Sequence, residues 1–123
     1  MEPYILILED DPVLGKVALK TAESLDFAAA LDSDGNQYPK ILAARGAPKA
    51  ILLDLHLPYV SGMDLLKRFR SDERLKETPV FVMTADIFQA RELEEQGERV
   101  FLKPVSVARL EDIFSRLKDT HDS

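Results

Sequence analysis

Five short apolar runs punctuate the chain: Tyr4–Leu8, Phe27–Leu31, Ala50–Leu53, Val80–Met83 and Val100–Leu102. Each is nearly continuous rather than alternating, which is the pattern of a parallel strand covered on both faces. Between the runs, apolar residues recur every three or four positions, the period of a helix with one buried side. Leu14, Val17, Ala18, Thr21 and Leu25 make the first stripe, and Leu65, Leu66 and Phe69 after Gly62 make the third. Val107, Leu110, Ile113, Phe114 and Leu117 make the fifth. The second (about residues 38–44) and the fourth (about 87–96) are weaker. Gly46, Pro48, Pro58, Pro79, Gly97 and Pro104 mark the junctions. Asp11-Pro12 reads as a helix N-cap followed by proline at the first helical position. This alternation predicts an α/β domain over residues 1–123: a doubly wound, five-stranded parallel sheet with helices on both faces and right-handed crossovers.

Composition narrows the partners. The net charge of -6, with 16 basic residues scattered among 22 acidic ones, argues against direct nucleic-acid binding. The absence of cysteine excludes disulfides and thiolate metal sites. The opening apolar run is too short for a signal peptide or membrane span and has no basic flank, so a cytoplasmic, soluble protein is expected.

In doubly wound sheets, sites form beyond the carboxyl ends of the strands. There the chain carries Glu9, Asp10 and Asp11 after the first strand, Asp54 after the third, Thr84 after the fourth and Lys103 after the fifth. Two carboxylates about 4 Å apart repel by roughly 4 kcal/mol at an effective dielectric of about 20. A cluster of Glu9, Asp10 and Asp54 therefore calls for a cation or for raised pKa values. Oxygen-only ligands suit magnesium, which keeps several waters and takes phosphate as a further ligand. His56 and His121 lack zinc-like spacing. The chemistry that fits is phosphoryl transfer to the Asp54 carboxylate, with Thr84 donating to a phosphoryl oxygen and Lys103 pairing with Asp54.

Taken together these residues resemble bacterial response-regulator receiver domains. Ile5-Leu6-Ile7-Leu8-Glu9-Asp10-Asp11-Pro12 is similar to the family's first strand and acidic pair. Leu53-Asp54-Leu55-His56-Leu57-Pro58 with Ser61-Gly62 is similar to the phosphoacceptor segment. Met83-Thr84-Ala85 and Lys103-Pro104 match the remaining signature positions. The resemblance spans essentially the whole chain. It implies a flavodoxin-like (βα)5 sheet ordered 2-1-3-4-5 and a Mg2+-dependent switch phosphorylated on Asp54. It implies Asp10 and Asp54 as direct metal ligands, Glu9 through water, and His56 through its backbone carbonyl. The donor would be a sensor histidine kinase or a phosphotransfer protein, acting ahead of a further protein target; a weak homodimer fits the family as well. The bond between Lys103 and Pro104 should be cis, and His56 and Asp86 should flank the phosphoryl group.

Two departures bear on output. The segment from Thr84 to Gly97 is shorter than is usual in the family by about two residues. Val100 stands where the family commonly has Tyr or Phe, and its stiff side chain cannot swing as an aromatic switch does. Phe101 faces the other side of the strand and is expected in the core. No output domain is expected after the last stripe.

Two other classes compete. A haloacid-dehalogenase-type phosphatase would want an acid at position 56, where this chain has His56. A degenerate receiver acting as a phosphorylation-independent binding module would not need all five signature positions, which are present.

Overall fold

The computed structural model describes residues 3–121, with side chains through Lys118; the side chain of His121 lies outside them. The elements alternate along the chain. They are β1 (Tyr4–Leu8), α1 (Pro12–Ser24), β2 (Ala28–Asp32), α2 (Tyr38–Arg45), β3 (Ala50–Asp54) and α3 (Gly62–Ser71). After a 3-10 turn at Glu73–Leu75 come β4 (Val80–Thr84), α4 (Ile87–Glu95), β5 (Arg99–Leu102) and α5 (Val107–His121). The strands form one sheet in the order β2-β1-β3-β4-β5, with every pairing parallel.

The sheet divides two apolar cores. Leu6, Leu8, Ile51, Leu53 and Val82 face Leu42 of α2, Leu65, Leu66 and Phe69 of α3, and Leu93 of α4. Their neighbours Ile5, Ile7, Leu52 and Met83 face Ala18 and Ala22 of α1 and Leu110, Ile113, Phe114 and Leu117 of α5. This is the period-two alternation of a pleated strand, with both faces buried. Each large side chain so buried contributes roughly 1.5–3 kcal/mol. β1, β3 and β4 are buried along their whole length, which is why their sequences read as unbroken apolar runs.

Register then sets the site. Leu8 lies opposite Leu53, Asp54 opposite Met83, and Thr84 opposite Leu102. The residues that follow or end these strands, Glu9, Asp54, Thr84 and Lys103, are thereby brought to one edge.

The element boundaries differ slightly from the apolar runs. β2 starts at Ala28, because the Phe27 N–H is committed to the Ala22 carbonyl (3.1 Å) as α1 closes, and it continues through Asp32. β5 begins one residue earlier, at Arg99. Asp11 caps α1 by accepting from Val13 and Leu14, with Pro12 opening the helix. Val100 packs against the core on the α2–α4 side. Phe101 packs on the opposite side, its ring 6.0 Å from that of Phe81. Among the described residues no helix is long and apolar enough to cross a membrane.

Candidate functional site

At the carboxyl end of β1 and β3, Glu9, Asp10 and Asp54 each bring a carboxylate oxygen within 4.8 Å of the others. Glu9 and Asp54 are buried, at 2% and 1% exposure, while Asp10 is open to solvent. Lys103, leaving β5, places its ammonium 2.9 Å from Glu9 Oε1 and 3.1 Å from Asp54 Oδ2. The other Asp54 oxygen accepts from the His56 N–H at 3.0 Å, and Glu9 Oε2 accepts from the Asp11 N–H at 3.3 Å. The Lys103–Pro104 peptide bond is cis.

The electrostatics follow from three carboxylates meeting one ammonium. Burial, and after it the bond to and charge of Asp54, push Glu9 up to about 7 against the opposing pull of Lys103. For Asp54 burial works upward, but hydrogen bonds from Glu9, the His56 N–H and Lys103 hold it below the ordinary carboxylate value. Lys103 is held above its ordinary value, its bonds to Glu9 and Asp54 outweighing burial. Near neutral pH the acidic pair thus retains a proton that a cation can replace. The donor set is all oxygen and one of its members is solvent-accessible, which fits a hard divalent ion that keeps part of its water shell.

The other half of the site is built around Thr84, which is fully buried. Its hydroxyl lies 3.0 Å from His56 Nε2, 3.0 Å from Gln89 Oε1 and 3.1 Å from the Asp86 N–H. The Lys103 N–H donates to the Thr84 carbonyl at 2.9 Å, tying β5 to the same strand end. Asp86, expected to flank the phosphoryl group, stands beside Thr84, and its Oδ1 caps α4, accepting from Phe88 at 2.9 Å and Gln89 at 3.1 Å. The physical reason is the short lead from β4: α4 starts at Ile87, so Asp86 falls at its N-cap.

Sequence reasoning missed two residues. Gln89, half-buried in the first turn of α4, gave no signal, because a lone polar residue on a helix reads as surface. Asp32 is fully buried at the end of β2. Its Oδ1 accepts from Asp34 and Gly35, and its Oδ2 from Gln37 and Tyr38. It thereby pins the loop into α2. The Asp32-Ser33-Asp34-Gly35 turn chemistry was a signal for it.

Gly62 fixes the loop after Asp54. It opens α3 so close to the chain that a Cβ there would lie 2.4 Å from the Leu55 Cα. Ser61 caps the same helix through the Asp64 N–H. The segment after Asp54 is thus clamped between a strand and a helix start.

Comparison with known proteins shows what the whole chain is similar to. Two-component response regulator ORR5 of Oryza sativa subsp. japonica is 29% identical over 118 residues, covering 94% of this chain and 88% of its own. Chemotaxis protein CheY-3 of Vibrio cholerae is 28% identical over 120 residues, covering 92% of both. Among solved structures, the bacteriophytochrome response regulator RtBRR superposes with a TM-score of 0.78 at 29% identity, over 95% of this chain and 78% of that one. The family model of the response regulator receiver domain matches residues 5–115. A match running from the first strand into the last helix identifies the family: this chain belongs to the response regulator receiver domains.

Proposed function

We propose that Asp54 accepts a phosphoryl group from a phosphohistidine on a sensor histidine kinase or a phosphotransfer protein. The observation that carries this reading is the contact of Lys103 with both Asp54 and Glu9 inside a three-carboxylate cluster. Asp54 stays ionised because its hydrogen bonds outweigh burial, so its carboxylate is available as a nucleophile near neutral pH. A carboxylate oxygen forms the new O–P bond as the donor's N–P bond breaks, and the departing imidazole nitrogen takes up a proton. Lys103 and the His56 N–H hold the carboxylate in place on its two oxygens.

Asp10, Asp54 and the His56 backbone carbonyl would hold Mg2+, with Glu9 acting through water. When bound, the ion supplies positive charge to the transferring phosphoryl oxygens. Thr84 donates its hydroxyl hydrogen to one of these oxygens, and Lys103 turns to pair with another. The product is an acyl phosphate that changes the surface presented to a protein target. The chain acts as a cytoplasmic signalling switch rather than a turnover catalyst.

Incubation with acetyl phosphate and Mg2+, read by intact mass, tests this. The wild-type chain should gain one phosphoryl group and Asp54→Asn none, since an amide is a poor nucleophile. Uptake by the Asn variant at the wild-type rate would remove Asp54 from the role.

A further inference from the structure

A hydroxyl has one hydrogen to give and two lone pairs to receive with. In Thr84 all three are engaged. The Asp86 N–H fills one lone pair at 3.1 Å. The hydrogen goes to Gln89 Oε1 at 3.0 Å. His56 Nε2, also at 3.0 Å, then faces the second lone pair, which it fills as the Nε2–H form.

A phosphoryl oxygen on Asp54 accepts only hydrogens, and Thr84 has a single one. The hydroxyl therefore serves Gln89 or the phosphoryl group, not both. Gln89 belongs to the first turn of α4, and only Ala85 and Asp86 separate Thr84 from that helix. The turn also carries Phe88 at 78% exposure and Ile87 at 47%. Val100, packed against the core and without an aromatic ring, offers no comparable moving part on β5.

We propose that Gln89 is a positioning residue that latches the Thr84 hydroxyl in the unphosphorylated state, so that phosphorylation releases the first turn of α4. This rests on Asp54 being the acceptor. The latch opposes activation by about one neutral hydrogen bond, and its loss frees the Gln89 amide together with the turn presenting Ile87 and Phe88. The signal leaves through α4, not through side chain 100.

The test uses beryllofluoride with Mg2+ as the phosphoryl mimic, on wild type, Gln89→Leu, Thr84→Val and the double variant. Leucine keeps the helix and the approximate size but cannot accept a hydrogen bond. Gln89→Leu should bind the mimic about fivefold more tightly than wild type, the worth of one such bond. The gain should vanish when Gln89→Leu is added to Thr84→Val and the double variant is compared with Thr84→Val alone, as a coupling between two contacting residues requires. Amide exchange at residues 87–90 should quicken in wild type when the mimic binds, and should already be quick in unliganded Gln89→Leu. Equal affinities for wild type and Gln89→Leu, or a gain that persists without the Thr84 hydroxyl, overturn the latch while leaving the receiver reading intact. A wild-type chain that takes no phosphoryl group from acetyl phosphate overturns the reading of Asp54 as the acceptor, and the latch with it.

Discussion

Lys103 is bound to Glu9 as well as to Asp54, its ammonium 2.9 Å from the first carboxylate and 3.1 Å from the second. It neutralises part of the charge that would otherwise attract a cation, and it holds the Asp54 carboxylate in place. Lys103→Met should therefore act in opposite directions on two measurements. Mg2+ affinity by calorimetry should rise severalfold, because a positive charge beside the ion has gone. Phosphorylation should slow on the order of a hundredfold, because a charge aimed at the phosphoryl oxygens has gone as well. A weaker Mg2+ affinity in the variant would show that the lysine organises the carboxylates more than it competes with the ion.

The proton on Glu9 gives a pH signature. Its folded value of about 7 lies above the ordinary 4.5, owing to burial first and Asp54 second. The folded chain holds this proton more tightly than the unfolded one. The stabilisation is full below the ordinary value and is lost as pH rises through about 7. Asp54, depressed rather than raised, acts below its ordinary value of 3.8 and leaves this window alone. A divalent ion beside Glu9 favours its ionised form, so Mg2+ affinity should weaken as pH falls below about 7 and level off above it. Glu9→Gln should flatten that slope in the same titration. A slope that survives in the variant would assign the proton to another group.

Gly62 sets how closely α3 may approach the chain after Asp54. With a Cβ meeting the Leu55 backbone at 2.4 Å, the only relief for Gly62→Ala is a shift of backbone. A cost of about 1–3 kcal/mol in urea unfolding is expected, as for overpacking elsewhere. Slower phosphoryl uptake should accompany it, since the displaced segment carries Asp54 and His56. Stability within about 0.5 kcal/mol of wild type would mean that the loop yields freely.

Much of this was legible before any coordinates, for an identifiable reason. β1, β3 and β4 are covered on both faces, so their apolar runs are continuous and the first polar residue beyond each is conspicuous. Glu9, Asp54 and Thr84 announce themselves in that way, and Lys103 does so at the edge. β2 was misjudged by one residue because Phe27 is as apolar as a strand residue while its backbone still serves α1. Gln89 was invisible because its partner lies on another element, and hydrogen bonds between elements leave no period in a sequence. Asp86 was assigned by its offset from Thr84, although an acid just before a helical stripe also spells an N-cap. In the structure Asp86 Oδ1 is the N-cap acceptor of α4, beside Thr84.

Asp32 provides a test of the loop into α2, on the strand next to Glu9, whose N–H donates to the Asp32 carbonyl at 3.2 Å. It is buried and accepts four backbone N–H groups on its two oxygens. Asp32→Ala would orphan all four, and a loss on the order of 3 kcal/mol or more is expected. Asp32→Asn should do little better, because its amide nitrogen would leave two of those N–H groups facing another donor. Denaturant unfolding of both variants reads this directly. A wild-type midpoint in Asp32→Asn would show that the loop into α2 can satisfy itself another way.

The division of the interior by the sheet has a bearing on how long each part of the domain stays folded. α5 is anchored by Leu110, Ile113, Phe114 and Leu117 against α1 and the sheet, whereas α4 buries only Ala90 and Leu93. At roughly 1.5–3 kcal/mol per large apolar side chain, α4 can detach for a few kcal/mol, well short of unfolding the whole chain. Its excursions then do not disturb the β1–α1 junction that carries Glu9 and Asp10. The domain can keep Glu9, Asp10 and Asp54 assembled through many openings of the helix that bears Gln89, so that the acidic cluster and α4 have separate lifetimes.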